Sequence, residues 1–123
     1  MLANSPEDIC RLFQLAMAEG DLESVMSVYD SEAVFVDQAG EVTKSRHELR
    51  QALALLAAQK TRFDYDIKQV TKTGDIALMH TEWKVAGTQP MTVYAIEVAR
   101  RQADGTWRWL IGDPYTVGRE VRS

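Results

Sequence analysis

Three carboxylates in this chain stand among hydrophobic neighbours. Glu97 lies between Ile96 and Val98, Asp37 closes the run Ala33-Val34-Phe35-Val36, and Asp113 closes Trp109-Leu110-Ile111-Gly112. An ionised carboxylate is costly to bury unless it is paired. Glu97 therefore either faces solvent with Ala95 and Ala99, or lines a cavity where desolvation raises its pKa. Two carboxyls whose surroundings push their pKa values apart are what acid–base chemistry needs. For Asp37 and Asp113 the alternative is turn capping, since an Asp ahead of a turn accepts from backbone N–H groups. His80 shares a strand side with Glu82 and Lys84 and should face outward. His47 falls in the first turn of a helix and should be solvated, while Cys10 borders an apolar helix stripe and reads as a buried or half-buried thiol. None of these three is assigned to catalysis.

The elements that must position the acids follow from spacing. Ser5-Pro6-Glu7-Asp8 is a helix start, and Ile9, Leu12, Phe13, Ala16 and Met17 then recur at helical intervals up to Gly20. Asp21 caps a short second helix with Leu22, Val25, Met26 and Tyr29 on one side. Residues 33–37 read as a strand, and Gln38-Ala39-Gly40 as a turn into a second extended piece, Glu41-Val42-Thr43. Ser45 and Glu48 form a capping box for a third helix carrying Leu49, Ala52, Leu53, Leu56 and Ala57. From Phe63 onward the period is two. Val70 falls out of phase with Phe63, Tyr65 and Ile67, which predicts a bulge near Lys68-Gln69. Turns at Thr73-Gly74-Asp75, Gly87-Thr88-Gln89-Pro90 and Ala103-Asp104-Gly105 separate the last strands. The order α-α-β-β-α-β-β-β-β with consecutive hairpins predicts a single α+β domain over residues 1–123. In it an antiparallel meander has one face covered by three helices.

The strand at 91–100 is apolar on both sides, with Met91, Val93 and Ala95 against Tyr94, Ile96 and Val98. Helices can cover one side. A second subunit is the simplest cover for the other, so a homodimer is expected; the alternative is that the last ten residues fold back over it. Trp107, Trp109, Ile111 and Asp113 should share one side of the last strand.

Composition narrows the function. The 123 residues are 46% hydrophobic, and 14 basic against 18 acidic side chains give a net charge of −4. Such a chain lacks the cationic face that phosphates require, so no nucleic-acid partner is expected. One cysteine excludes an internal disulfide, and two histidines make an all-protein metal site unexpected. No apolar run is long enough to span a bilayer, and the first residues lack a signal-peptide pattern, so no membrane association and a cytoplasmic location are expected.

Several strings, taken in order, resemble the nuclear transport factor 2-like superfamily, in its SnoaL-like and ketosteroid-isomerase-like branch. They are Ala18-Glu19-Gly20-Asp21-Leu22-Glu23 with Val28-Tyr29, then Ser31 to Asp37, the capped helix at Ser45, Gly74-Asp75-Ile76-Ala77, and Glu97-Val98-Ala99-Arg100-Arg101 running into Asp104-Gly105-Thr106-Trp107-Arg108. The resemblance covers a core at about 5–115 and implies a cystatin-like cone, a curved sheet wrapped around a long helix with an apolar pocket at one end. It implies that odd-numbered residues of the 91–99 and 107–113 strands face that pocket. The lining would then be Phe13, Met17, Phe35, Leu53, Leu56, Phe63, Tyr65, Met79, Trp83, Val93, Trp109, Ile111 and Asp113.

Carried over by position, Asp37 falls where ketosteroid isomerases keep a general base. Glu97 falls where they keep a protonated acid that donates to the developing oxyanion. The oxyanion-binding tyrosine of that family falls on Phe13, which has no hydroxyl to donate; loss of one such donor typically costs about 100- to 1000-fold in rate. Related branches match less well. The epoxide-hydrolase-like pattern needs an arginine where Ala95 stands, and the histidines and serine of kinase-association domains are missing from Trp109 to Asp113. The resemblance thus implies a pocket for a small apolar molecule and no cofactor. Either an isomerase or cyclase acts there on a carbonyl-containing, steroid- or polyketide-like compound, or a non-catalytic, ligand-binding or accessory dimer holds one.

Overall fold

The computed structural model describes residues 2–115. Its elements are α1 (Pro6–Glu19), α2 (Leu22–Ser27), β1 (Tyr29–Phe35), α3 (Arg46–Ala58), β2 (Phe63–Thr73), β3 (Ile76–Val85), β4 (Met91–Arg101) and β5 (Trp107–Asp113). The caps are those the sequence spells out. Ser5 accepts from the Asp8 N–H, Pro6 opens α1, and Gly20 closes it at φ 71°, in the left-handed region. Ser45 accepts from the Glu48 N–H, while the Glu48 carboxylate accepts from Lys44, one residue before the usual capping-box donor.

The five strands form one sheet in the order β1-β5-β4-β3-β2. From β2 to β5 it is the expected antiparallel meander. β1 adds to the edge of β5 in parallel, with Tyr29 opposite Trp109, so the sheet is mixed rather than antiparallel throughout. β1 also begins at Tyr29, four residues earlier than its apolar run suggests, and Val42 makes only an isolated bridge with Val36. α1 lies against β2 at one edge and against β5 near the other. It meets these outer strands more than β3 and β4 between them, so the sheet curves round α1, as expected of a cone. Ile9, Leu12, Phe13, Ala16 and Met17 are all buried in that concavity.

Two register shifts decide which side chains face inward. In β2, Ile67 pairs with Thr81 and Gln69 with His80, leaving Lys68 as the extra residue, where the phase break predicts a bulge. In β5, Trp109 pairs with Ala99 but Ile111 with Val98, so Leu110 is the extra residue. After it the alternation inverts. Trp107 and Trp109 are buried on the inner face, Ile111 is 37% exposed on the outer one, and Gly112 is buried opposite Glu97. This corrects the inward placement expected for Ile111.

A buried ion pair ties the first strand to the rest. Asp30 of β1 is 1% exposed. It takes two hydrogen bonds from Arg100 of β4, two strands away, at 2.9 and 2.6 Å, one from Gln102 at 2.8 Å and one from the Glu32 N–H at 2.9 Å. Burial alone would raise the Asp30 pKa; the Arg100, Glu32 and Gln102 donors outweigh it and hold the carboxyl at about 2. Truncating Arg100 strands that charge. Arg100→Ala is expected to cost about 3 kcal/mol in urea denaturation at pH 7. A cost below about 1 kcal/mol would mean that the pair does not hold β1 in place.

Candidate functional site

Between α1, α3 and the inner face of the sheet lies a cavity of about 140 Å³. Glu97 reaches it because alternation along β4 turns Ala95, Glu97 and Ala99 inward, each under a tenth exposed, and Tyr94 outward at 49% exposed. Its register partner on β3 is Met79, but the carboxyl leans along the strands to the next two inward positions. Oε1 accepts from the Thr81 hydroxyl at 2.8 Å and Oε2 from the Trp83 indole N–H at 3.0 Å. Burial pushes the Glu97 pKa up to about 7, and the Thr81 and Trp83 hydrogen bonds restrain the rise. At neutral pH this group therefore holds or releases a proton with little bias. Behind it, burial and the Glu97 charge raise the pKa of Cys10, which is fully buried, and of the Tyr29 phenol.

Aromatic rings form the walls. Phe13 of α1 makes edge-to-face contacts with Phe63, Trp83 and Trp109 at centroid distances of 5.2, 5.4 and 5.4 Å. Such contacts each add about 0.5–1.5 kcal/mol beyond area burial, and here they hold Trp83 against Glu97. Of the residues expected to line the cavity, Phe13, Phe35, Leu53, Leu56, Phe63, Trp83, Val93, Trp109, Glu97 and Asp113 do so. Met17 and Met79 do not, being fully buried core side chains. Tyr65 is half-buried against Trp83, outside the lining, and Ile111 is on the outer face.

Asp37 is the main correction. Its side chain is exposed and outside the lining, and Oδ1 accepts from the Ala39 and Glu41 N–H groups at 2.9 Å each, so it caps the turn. The second carboxylate at the cavity is Asp113, whose Oδ1 accepts from the Tyr115 N–H at 3.2 Å. Sequence reading missed Tyr29, Val85, Met91, Ala95, Gly112, Pro114 and Tyr115. Val85 and Ala95 share a strand side with Trp83 and Val93, so alternation carried a usable signal for them. Tyr29 was masked by its helical spacing from Val25 and Met26. His47 and His80 are exposed, as expected. Among the described residues no helix is long and apolar enough to cross a membrane.

Residues 9–110 match the family model of the SnoaL-like domain, and the chain belongs to that family. Solved structures of the same fold include a candidate calcium/calmodulin-dependent protein kinase type II association domain from Thiobacillus denitrificans. It is 18% identical, with a TM-score of 0.77, over 93% of this chain and 98% of that one. A candidate ketosteroid isomerase from Shewanella frigidimarina is 21% identical, with a TM-score of 0.69, over 86% and 90%. A candidate dehydratase of the nuclear transport factor 2-like family from Streptomyces avermitilis is 23% identical, with a TM-score of 0.66, over 85% and 88%. These likenesses establish an α+β fold of the nuclear transport factor 2-like and cystatin-like kind. No curated protein matches the sequence significantly.

The raised Glu97 pKa has a signed consequence for stability. The folded state binds its proton more tightly than the unfolded chain does, so stability is fully present below about pH 4.5 and falls as pH rises towards 7. A rise from 4.5 to about 7, at about 1.4 kcal/mol per pH unit, is worth about 3 kcal/mol. Glu97→Gln is expected to abolish that decline in denaturation curves measured from pH 4.5 to 7.5. An unchanged slope would show that Glu97 titrates normally.

Proposed function

We propose that this chain holds a small, largely apolar, carbonyl-containing molecule in the cavity, with Glu97 as the group that donates or accepts a proton. The observation that carries this reading is Glu97 itself, a 6% exposed carboxyl at an aromatic-walled cavity with two fixed neutral donors and a pKa of about 7. Membership of the SnoaL-like family supports it. A cavity of about 140 Å³ is close to one known to admit benzene, of about 150 Å³. It takes one ring, so a polycyclic compound would leave its other rings at the mouth.

A second reading, binding without turnover, is favoured by Asp37, which caps a turn where a general base was expected. Acetophenone in D2O separates the two. Catalysed exchange of its methyl protons, lost in Glu97→Gln, is expected for proton transfer. Saturable binding without exchange would leave the ligand-binding reading alone, and no binding of acetophenone would refute both.

We also propose that the chain is a homodimer through the outer sheet face. Leu78, Val98 and Ile111 form a row across three paired strands, flanked by Ile76 and by Tyr94 at 49% exposure. The alternative cover, the final segment, falls largely on residues 116–123, outside those described. Sedimentation equilibrium at tens of micromolar is expected to give twice 13.9 kDa, and Leu78→Glu to return the monomer. A monomeric wild-type chain would overturn the proposal.

A further inference from the structure

Phe13 occupies the helix position where the family resemblance implies a hydroxyl donor, yet the space around its ring is not poor in donors. Trp109 packs edge-to-face on Phe13 at 5.4 Å and lines the cavity. Its indole nitrogen is buried without a hydrogen-bond partner among the described residues. Trp83, the other indole in the lining, spends its N–H on Glu97 at 3.0 Å. Beside Trp109 stands Tyr29, its register partner in the β1–β5 pairing, with ring centroids 5.5 Å apart. Tyr29 is 4% exposed and lines the cavity, and its side chain makes no hydrogen bond within the described residues.

A buried donor without an acceptor, beside a phenol that makes no hydrogen bond within the described residues, is unusual. Buried polar groups are nearly always paired, and one left unpaired costs about 1–3 kcal/mol. Both belong to the only parallel pairing in the described sheet, which joins strands far apart in sequence. Neither oxygen of Glu97 is idle, since each already accepts from Thr81 or Trp83. No Lys, Arg or His lines the cavity among the described residues. The wall formed by Tyr29 and Trp109 therefore offers donors to the cavity, and a carbonyl oxygen is a small group that can accept from two.

We infer that Tyr29 and Trp109 form the acceptor-binding subsite of the cavity, taking the carbonyl oxygen of the bound molecule in place of the donor absent at Phe13. The inference rests on the ligand reading proposed above and adds the part of the ligand that β1 and β5 recognise. It gives the phenol of Tyr29 and the indole of Trp109, whose rings pack 5.5 Å apart across a strand pair, one shared acceptor.

Acetophenone and ethylbenzene, one ring each and differing in the carbonyl, test it on the intact chain. Wild-type protein is expected to bind acetophenone about five- to tenfold more tightly than ethylbenzene, as one or two net hydrogen bonds allow. Tyr29→Phe is expected to erase most of that preference while changing ethylbenzene affinity less than about twofold. In wild-type protein, acetophenone should also shift the Trp109 indole N–H resonance, assigned with Trp109→Phe, and ethylbenzene should not. That measurement on the wild type decides the matter if Tyr29→Phe does not fold. Equal binding of the two probes, a preference that survives in Tyr29→Phe, or an indole resonance that both probes move alike overturns the subsite and leaves the cavity reading standing. Failure of both probes to bind overturns the cavity reading and the subsite with it.

Discussion

Taking a carboxyl group out of water is the costly act in this structure, and much of the interior is arranged around it. Glu97 sits mid-strand in the sheet's concavity, where ionisation is opposed by desolvation. Two neutral donors on β3 meet its oxygens, and the donor that cannot act as an acceptor, Trp83, is held by rings from α1 and β2. Helix α1 thereby fixes the orientation of a group on β4 that it need not touch. Had the carboxyl been fully satisfied by a cation, it would be ionised and inert. Two neutral hydrogen bonds leave it near the midpoint of its titration at neutral pH.

The second constraint is mechanical. A curved sheet needs its edge strand held, and β1 is held by a parallel pairing, by the Asp30–Arg100 clamp and by Arg46. Arg46 opens α3 and donates to backbone carbonyls of Met26 and Asp30 at 2.8 and 3.1 Å. Asp30 and Glu97 divide the labour of buried acids. One is driven down by a guanidinium and serves architecture, whereas the other is driven up by burial and stays available to chemistry.

How much of this was legible in the sequence depends on whether local pattern carried the information. The caps at Ser5, Gly20 and Ser45 and the bulge at Lys68 were legible, because each leaves a residue type or a phase break in place. The inward turn of Glu97 was legible only as one of two alternatives until the family resemblance chose a side. The bulge at Leu110 left no trace: Trp109, Leu110 and Ile111 are all apolar, so alternation there has no phase to break. The parallel docking of β1 was equally silent, since its partner lies some eighty residues downstream. Asp37 failed for another reason. A catalytic acid at a strand end and a turn cap at a strand end are the same residue in the same string, and only the direction of the side chain separates them.

Leu110 also bears on how such a chain tolerates changes of strand register. Upstream of it, β5 presents large rings to the interior; downstream it presents Gly112, with the Phe35 ring packed at van der Waals distance, 3.4 Å, from where a Cβ would stand. Removing Leu110 itself would leave Ile111 outside and Gly112 inside, but straightening the bulge at constant length would put Ile111 in the inward place of Gly112 opposite Glu97 and shift Asp113 by one position along β4. Substitutions that keep the bulge alter one wall at a time, whereas loss of the bulge at constant length would rewrite the floor of the cavity and its acidic rim together. Relatives that share this fold but pair the final strand without this phase inversion are therefore expected to differ in chemistry more than their overall similarity suggests.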